Sequence, residues 1–445
     1  MKLIKNATIA NGRNTRKVDI LFDNKIRKIA SEINSATAEI IDAKGNILIP
    51  GGIDPHVHFN QPGFEHHEDF FTGTSAAAAG GITTIIDMPC TSLPPVTNLA
   101  NLKNKLQIVQ PNALIDFAFW GGIRANDLTT INEQISELWD FGVVGFKIYV
   151  TSGMDTFHQL SYQQISSVLV ANPAPLYAFH AEDPEIIAVN EQKYNCSEQP
   201  ELYSQIRSVS AEYEAVKQIL QNKDNHLHFV HISSQKAAQY ISDQKAQIDV
   251  TYETCPHYLH FTAEDLNDLR GRLKTAPPVK YTEDRDYLRQ SLVDGKLDFI
   301  TTDHAGSDWE TEKDLADFSA AYNGIPGTQL MLPYLIDEFY LSERISLKRL
   351  VEISSENAAK RYGIFPQKGS LEIGSDADFT IFDPNKPTVI DEQALYSKGK
   401  YSPFFGKTFC ASIDMTIVRG ETIFSEAGGI VGQPGFGKLL LRKES

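Results

Sequence analysis

Residues 46–59, NILIPGGIDPHVHF, decide the fold. An apolar, β-branched run meets a double glycine, and two histidines, His56 and His58, then stand one residue apart. On a strand, positions i and i+2 face the same side. The stretch therefore reads as a buried strand that has just ended and presents two imidazoles together. A metal ion needs that arrangement, and ordinary packing seldom produces it in a chain with only 12 histidines.

Similar runs recur along the middle of the chain. They are GITTIIDM (81–88), LIDFAFWGG (114–122), VVGFKIYV (143–150), APLYAFHAE (174–182), HLHFVHISS (226–234), IDVTYETCPHY (248–258) and LDFITTDHAG (297–306). With the opening stretch they make eight candidate strands, separated by segments of helical spacing such as SAEYEAVKQILQ (210–221). Strand–helix alternation implies a parallel sheet, and eight repeats imply a closed (β/α)8 TIM barrel. SLKRLVEISSENAAKRYGIF (346–365) also reads as helical, with Ser346 and Ser355 as N-caps, Gly363 as C-cap and Pro366 as a stop. Both ends differ from the middle. KLIKNATIA and KVDILFDNKIRKIA near the start, and GSLEIGSDADFTIFDP and SIDMTIVRGETIF near the end, alternate apolar and polar residues between turn signals. The expected division is a small β-domain from 1–49 plus 366–445 around a hydrolase barrel over 50–365.

Composition narrows the function. A net charge of -16 argues against a nucleic-acid surface. No apolar run reaches membrane-span length, and the opening MKLIKNATIANGRN has no apolar core of a secretory signal. Cys90, Cys196, Cys255 and Cys410 are widely spaced, which argues against a disulfide framework or a thiolate zinc site and points to a reduced cytoplasm.

In such a barrel the chemistry sits where strands end at the C-terminal face. The candidate strands carry His56 and His58, then Lys147, His180, His231 and Asp303 at those positions. A buried lysine without a partner is costly, so Lys147 needs a reason. Four imidazoles and a carboxylate can hold two divalent ions, zinc first, and a lysine carboxylated by CO2 can bridge them.

These motifs, with GTSAAAAGGITTIIDMP, ETCPHYL, DFITTDHA and SPFFGKTFCASIDMTIVRGETIF, make the chain resemble the cyclic amidohydrolases, the branch of the amidohydrolase superfamily containing allantoinase, dihydroorotase and dihydropyrimidinase (hydantoinase). The resemblance covers nearly the whole chain. It implies that His56 and His58 bind the more buried metal and that N6-carboxylated Lys147 bridges to a second metal held by His180 and His231. Asp303 would bind metal and shuttle a proton. It further implies a barrel with a small β-sandwich domain formed by both termini, a small cyclic amide or ureide substrate, and a homo-oligomer, dimer or tetramer.

The ring itself is harder to read. Asn60 stands where dihydroorotases carry an Arg that grips a carboxylate, and Cys90 stands where they carry an Asn. Lys280 is one cation that could compensate. HFNQPG, FWGG, YETCPHYL and GIPGTQ look allantoinase-like, whereas EDFFTGT, NGIPG and GFGKLLLR look hydantoinase-like. Allantoin or a related ureide is slightly ahead, followed by dihydroorotate and then dihydropyrimidines or hydantoins. Asn60, Cys90, Thr275 and Asn323 are candidate substrate contacts, with Cys90 a packed thiol rather than a nucleophile. His257 is a candidate orienter of a ligand, His304 either assists Asp303 or packs, and His66 and His67 read as solvated loop residues. An inactive homologue that keeps the barrel would typically lose ligands, and all six are present. A deaminase or phosphotriesterase on the same barrel fits less well: deaminases usually lack the bridging lysine, and no basic pocket for phosphate is evident.

Overall fold

The computed structural model describes residues 1–12 and 14–443. Eight parallel strands form the barrel: β1 (Gly52–Val57), β2 (Ile82–Asp87), β3 (Asp116–Phe119), β4 (Phe146–Tyr149), β5 (Leu176–His180), β6 (His226–Phe229), β7 (Val250–Thr254) and β8 (Phe299–Ile300). β3 breaks at Trp120 and resumes at Gly121–Ile123. Its first half pairs with β2 and its second with β4. The ring closes where Val57 bridges to His304 and the His58 amide donates to the His304 carbonyl at 2.8 Å. The strands are short and buried on both faces, as expected when helices cover a parallel sheet.

The opening stretch holds a correction. It is not one strand but two, divided at Gly51. Ile47–Pro50 belongs to the terminal sheet, and the barrel starts at Gly52. A β-carbon on Gly51 would lie 2.1 Å from Thr83 Oγ1, so the backbone can pass there only as glycine.

The second sheet has nine strands drawn from both termini. Phe379–Asp383 lies antiparallel to Ile47–Pro50, which joins the C-terminal strands to the N-terminal ones. Lys2–Asn11 bulges between Ile4 and Ala7, pairing with Glu39–Asp42 before the bulge and with Ile47 after it. That change of partner folds the sheet into a sandwich around Ile4, Ile20, Phe22, Leu48, Phe379 and Ile417. The last stretch returns to the barrel, where Phe117 exchanges backbone hydrogen bonds with Lys438 and Leu440.

The helix after the barrel runs from Leu347 to Arg361 with a π-helical turn in its middle. Ser346 caps it, its hydroxyl accepting from the Arg349 amide at 3.2 Å. Ser355 is no cap. It is buried within the helix and donates to the Gly51 carbonyl at 2.7 Å, tying helix to barrel entrance. Among the described residues no helix is long and apolar enough to cross a membrane.

Candidate active site

The six strand-end residues converge at the C-terminal mouth of the barrel. Nε2 of His56 and Nε2 of His58 lie 3.1 and 3.2 Å from the same atom, Asp303 Oδ1. Across the mouth, His180 Nδ1 and His231 Nε2 are 3.0 Å apart. The rings link the two groups, with His56 and His231 centroids at 5.4 Å. His231 and Asp303 lie beyond the regular strands with φ of 41° and 52°, and Asn60 has φ 40°. Side-chain-bearing residues adopt this left-handed region at a cost of about 1 kcal/mol or more each, and such strain gathers at functional sites.

Partners outside the cluster fix the rings. His56 Nδ1 bonds Glu253 Oε1 at 2.7 Å, and the other oxygen of Glu253 lies 3.2 Å from His228 Nε2. His180 Nε2 bonds Glu182 at 2.9 Å and sits 3.1 Å from the Arg207 guanidinium, which is itself paired with Glu182. His58 Nδ1 meets the Thr91 hydroxyl at 3.2 Å and Cys90 Sγ at 3.6 Å. A carboxylate behind a histidine sets its tautomer and aims the remaining nitrogen, an arrangement usual around metal ions.

Electrostatics point the same way. Burial drives His56 and His231 far below the usual imidazole range, leaving them neutral as metal ligands must be. Burial also pulls the Lys147 amine down to about 8, against the opposing pull of Asp303. Its Nζ is buried, has no hydrogen-bond partner and stands 5.1 Å from the centre of the Tyr149 ring. His58 goes the other way. Burial opposes its charge, but Cys90 and Asp303 outweigh burial and raise it to about 10. The carboxylate of Asp303 and the Cys90 sulfur thus favour a cation beside His58, in a place a divalent ion would fill. Orphaned buried polar atoms, neutral imidazoles and a carboxylate on one point fit metal ions well.

A cavity of about 420 Å³ opens over this cluster, lined by His58, Tyr149, His180, His231, Asp303 and Arg207 and walled by Ser319–Asn323. Asn323 lies on that wall, its Oδ1 accepting from the Tyr203 hydroxyl at 2.9 Å. Asn60 and Cys90 line an adjoining cavity of about 320 Å³ with Thr91 and Tyr322. The Asn60 side-chain Nδ2 is buried and unpartnered, and Cys90 sits 3.1 Å from the Tyr149 hydroxyl. Thr275 differs: its hydroxyl donates to the Pro277 carbonyl at 2.8 Å, and its neighbour Ala276 reaches the cavity instead.

Other expectations need correction. Lys280 does not face the cavity; its ammonium is buried against the Arg207 carbonyl. His67 is not solvated. It is buried, with Nε2 2.8 Å from Glu312, while His66 is exposed. His304 takes the packing role, one of the two expected of it: it meets Glu68 and accepts from the Gly327 and Thr328 amides. The orienting role expected of His257 belongs to Glu253, whose signal was an acidic residue inside the apolar strand VTYET.

The chain matches the amidohydrolase family over residues 47–423 and belongs to it. Within that family its relatives are cyclic amidohydrolases, and the chain is an enzyme of that class. It is 37% identical to an allantoinase from Streptomyces avermitilis, covering 92% of this chain and 90% of that one. It is 32% identical to a dihydroorotase from Methanosarcina acetivorans, covering 98% and 94%. Its fold superposes on the L-hydantoinase (dihydropyrimidinase) from Arthrobacter aurescens with a TM-score of 0.92 at 30% identity, over 99% of both chains.

Proposed function

We propose that the chain opens the ring of a neutral cyclic ureide, allantoin first, by hydrolysis at a two-metal centre. The observation that carries this reading is the convergence of His56 Nε2, His58 Nε2 and Asp303 Oδ1 beside the orphaned amine of Lys147. His56 and His58 would hold one ion and His180 and His231 the other, with Asp303 as a further ligand. Zinc is the first choice for such nitrogen and oxygen donors. An amine with a pKa near 8 has a substantial neutral fraction at neutral to mildly alkaline pH. Its lone pair can bond to the carbon of CO2 and release one proton, and the resulting carbamate would offer the ions an anionic ligand. Bound there, the ions would acidify water and polarise a carbonyl.

The remaining steps belong to the chain. Glu253 and Glu182 hold the rings of His56 and His180. Asp303 accepts the proton released when water adds to the ring carbonyl and returns it to the departing nitrogen. The ring C–N bond breaks, and a ureido acid leaves.

Charge favours a neutral ring. Among the described residues lining the two cavities, Arg207 is the one guanidinium or ammonium, and Glu182 already neutralises it. A dihydroorotate carboxylate would find no free cation, and Asn60 cannot replace one. The allantoinase relative agrees with this. Assembly as a homo-oligomer, dimer or tetramer, and a cytoplasmic location belong to the same proposal.

Initial rates of the zinc-loaded protein on allantoin, dihydroorotate, dihydrouracil and hydantoin, side by side, test it. Preference for allantoin is expected, whereas preference for dihydroorotate would show that some other group holds a carboxylate.

A further inference from the structure

Two more buried lysines stand behind the cavity wall, and neither has a carboxylate within ion-pairing distance among the described residues. Lys274 is 2% exposed, and its ammonium donates to the carbonyls of Phe318 (2.8 Å), Ser319 (2.8 Å) and Ala321 (2.6 Å). Lys313 is 1% exposed and donates to the carbonyls of Lys274 (3.2 Å), Tyr322 (2.6 Å) and Gly324 (2.8 Å). Burial pulls both amines down, Lys274 to about 8, but each meets three carbonyl acceptors, and only the charged form has three N–H donors to satisfy them. The six carbonyls are not scattered. Five lie in 318–324, which includes the wall of the cavity, and the sixth immediately precedes Thr275.

We propose that Lys274 and Lys313 are positioning residues for the substrate, two ammonium groups that lock the irregular backbone of the cavity wall from behind. The inference rests on the reading of the cavity as the substrate site. A trans peptide directs its C=O and the following N–H to opposite sides. Holding the Tyr322 carbonyl therefore fixes the direction of the Asn323 amide, and holding the Ser319 carbonyl fixes that of Ala320. The lysines also join the two segments, since the Lys274 carbonyl accepts from both Lys313 and the Gly324 amide, the latter at 3.0 Å. Gly271 secures the base of the clamp. A β-carbon there would lie 2.1 Å from the Lys313 carbonyl oxygen, so any side chain would push Lys313 away. Other tethers exist, since the Ser319 amide donates to Asp317 at 2.8 Å, the Tyr322 amide to the Glu312 carbonyl at 2.8 Å and the Tyr203 hydroxyl to Asn323 at 2.9 Å, but among the described residues only the two ammonium groups each gather several carbonyls of this mostly irregular wall at one point.

Peptide-resolved hydrogen exchange and steady-state kinetics on the metal-loaded full chain test this. In the unmutated protein, peptides spanning 318–325 should exchange as slowly as those of β4, and fast exchange there would overturn the proposal. Lys313→Met should speed exchange in 318–325 and raise KM for the best cyclic amide by about tenfold or more, with kcat changed less than about threefold and metal content unchanged. Unchanged exchange and KM would overturn it. If Lys313→Met does not fold, Lys274→Met is read by the same criteria. If the unmutated protein hydrolyses no cyclic amide, the functional reading fails while the exchange data still decide whether the clamp exists.

Discussion

Two buried lysines at different places in the molecule show how the same residue serves opposite ends. Lys368 lies where the barrel meets the terminal sheet, and its ammonium is enclosed by Asp116, Asp376 and Asp378. Burial works against its charge, but the three carboxylates outweigh burial and hold its pKa above the ordinary value. Asp116 in turn accepts from Arg419 and from the Lys438 amide, so the cluster ties the C-terminal stretch to β3. Lys147 is equally buried but has no such enclosure, and its pKa falls to about 8. A lysine with a full complement of anions is a permanent cation that joins two parts of a fold. A lysine denied both anions and carbonyl acceptors, as Lys147 is, becomes a latent nucleophile. The three aspartates around Lys368 also have the spacing of a metal site, yet the ammonium already supplies the cation.

The contrast can be broken by removing each lysine. Lys147→Ala should lower kcat/KM by about 10⁴-fold or more, the range seen when one member of a catalytic set is lost. It should also empty at least one metal position, measured by elemental analysis, with the fold intact by circular dichroism. Lys368→Met should do the reverse. Stranding buried carboxylates costs about 3–5 kcal/mol of stability, read by denaturant unfolding, while the metal content of the folded protein stays the same. If Lys368→Met instead abolished metal binding with stability unchanged, the two regions would not be distinct.

Smaller effects sharpen the comparison. Glu253→Gln leaves His56 with a weaker partner and should weaken metal affinity by about 10–100-fold in chelator competition. The two lysines should also differ in the sign of their pH dependence. Lys147 binds its proton less tightly folded than unfolded, so between about 8 and its ordinary 10.5 the unfolded chain binds more protons and stability rises with pH. Lys368 binds its proton more tightly folded, so its contribution is complete below its ordinary 10.5 and fades as pH climbs through the raised value. In metal-free protein, Lys147→Met should remove a rising slope of at most about 1.4 kcal/mol per pH unit. Identical slopes in both proteins would show that the lowered pKa is wrong.

Most of the candidate site was legible in the sequence because His56, His58, His180, His231 and Asp303 stand at or just past strand ends, which are readable from short apolar runs. H-V-H, A-F-H, F-V-H and T-T-D-H each announce a polar group where an apolar run stops, and G-F-K-I-Y a charge inside one. The barrel was legible for the same reason. Contacts made across long sequence separations were not. Nothing near Lys368 in FPQKGS announces Asp116, 252 residues away. Lys313 was silent because its partners are backbone carbonyls, which carry no side-chain signature. The division of NILIPGGID into two strands was marked by its double glycine, but only the close approach of Thr83 shows why glycine is needed there. Thr275 illustrates a further limit: sequence can place a residue near a pocket without telling whether its side chain or its backbone faces inward.

The most direct test of the account is a crystal structure of the zinc-loaded protein grown at neutral pH with bicarbonate present. Density is expected for a carboxyl group on Lys147 Nζ, lying between one ion at His56 and His58 and a second at His180 and His231. A bare Lys147 amine beside a single ion, in protein that is fully active, would contradict it.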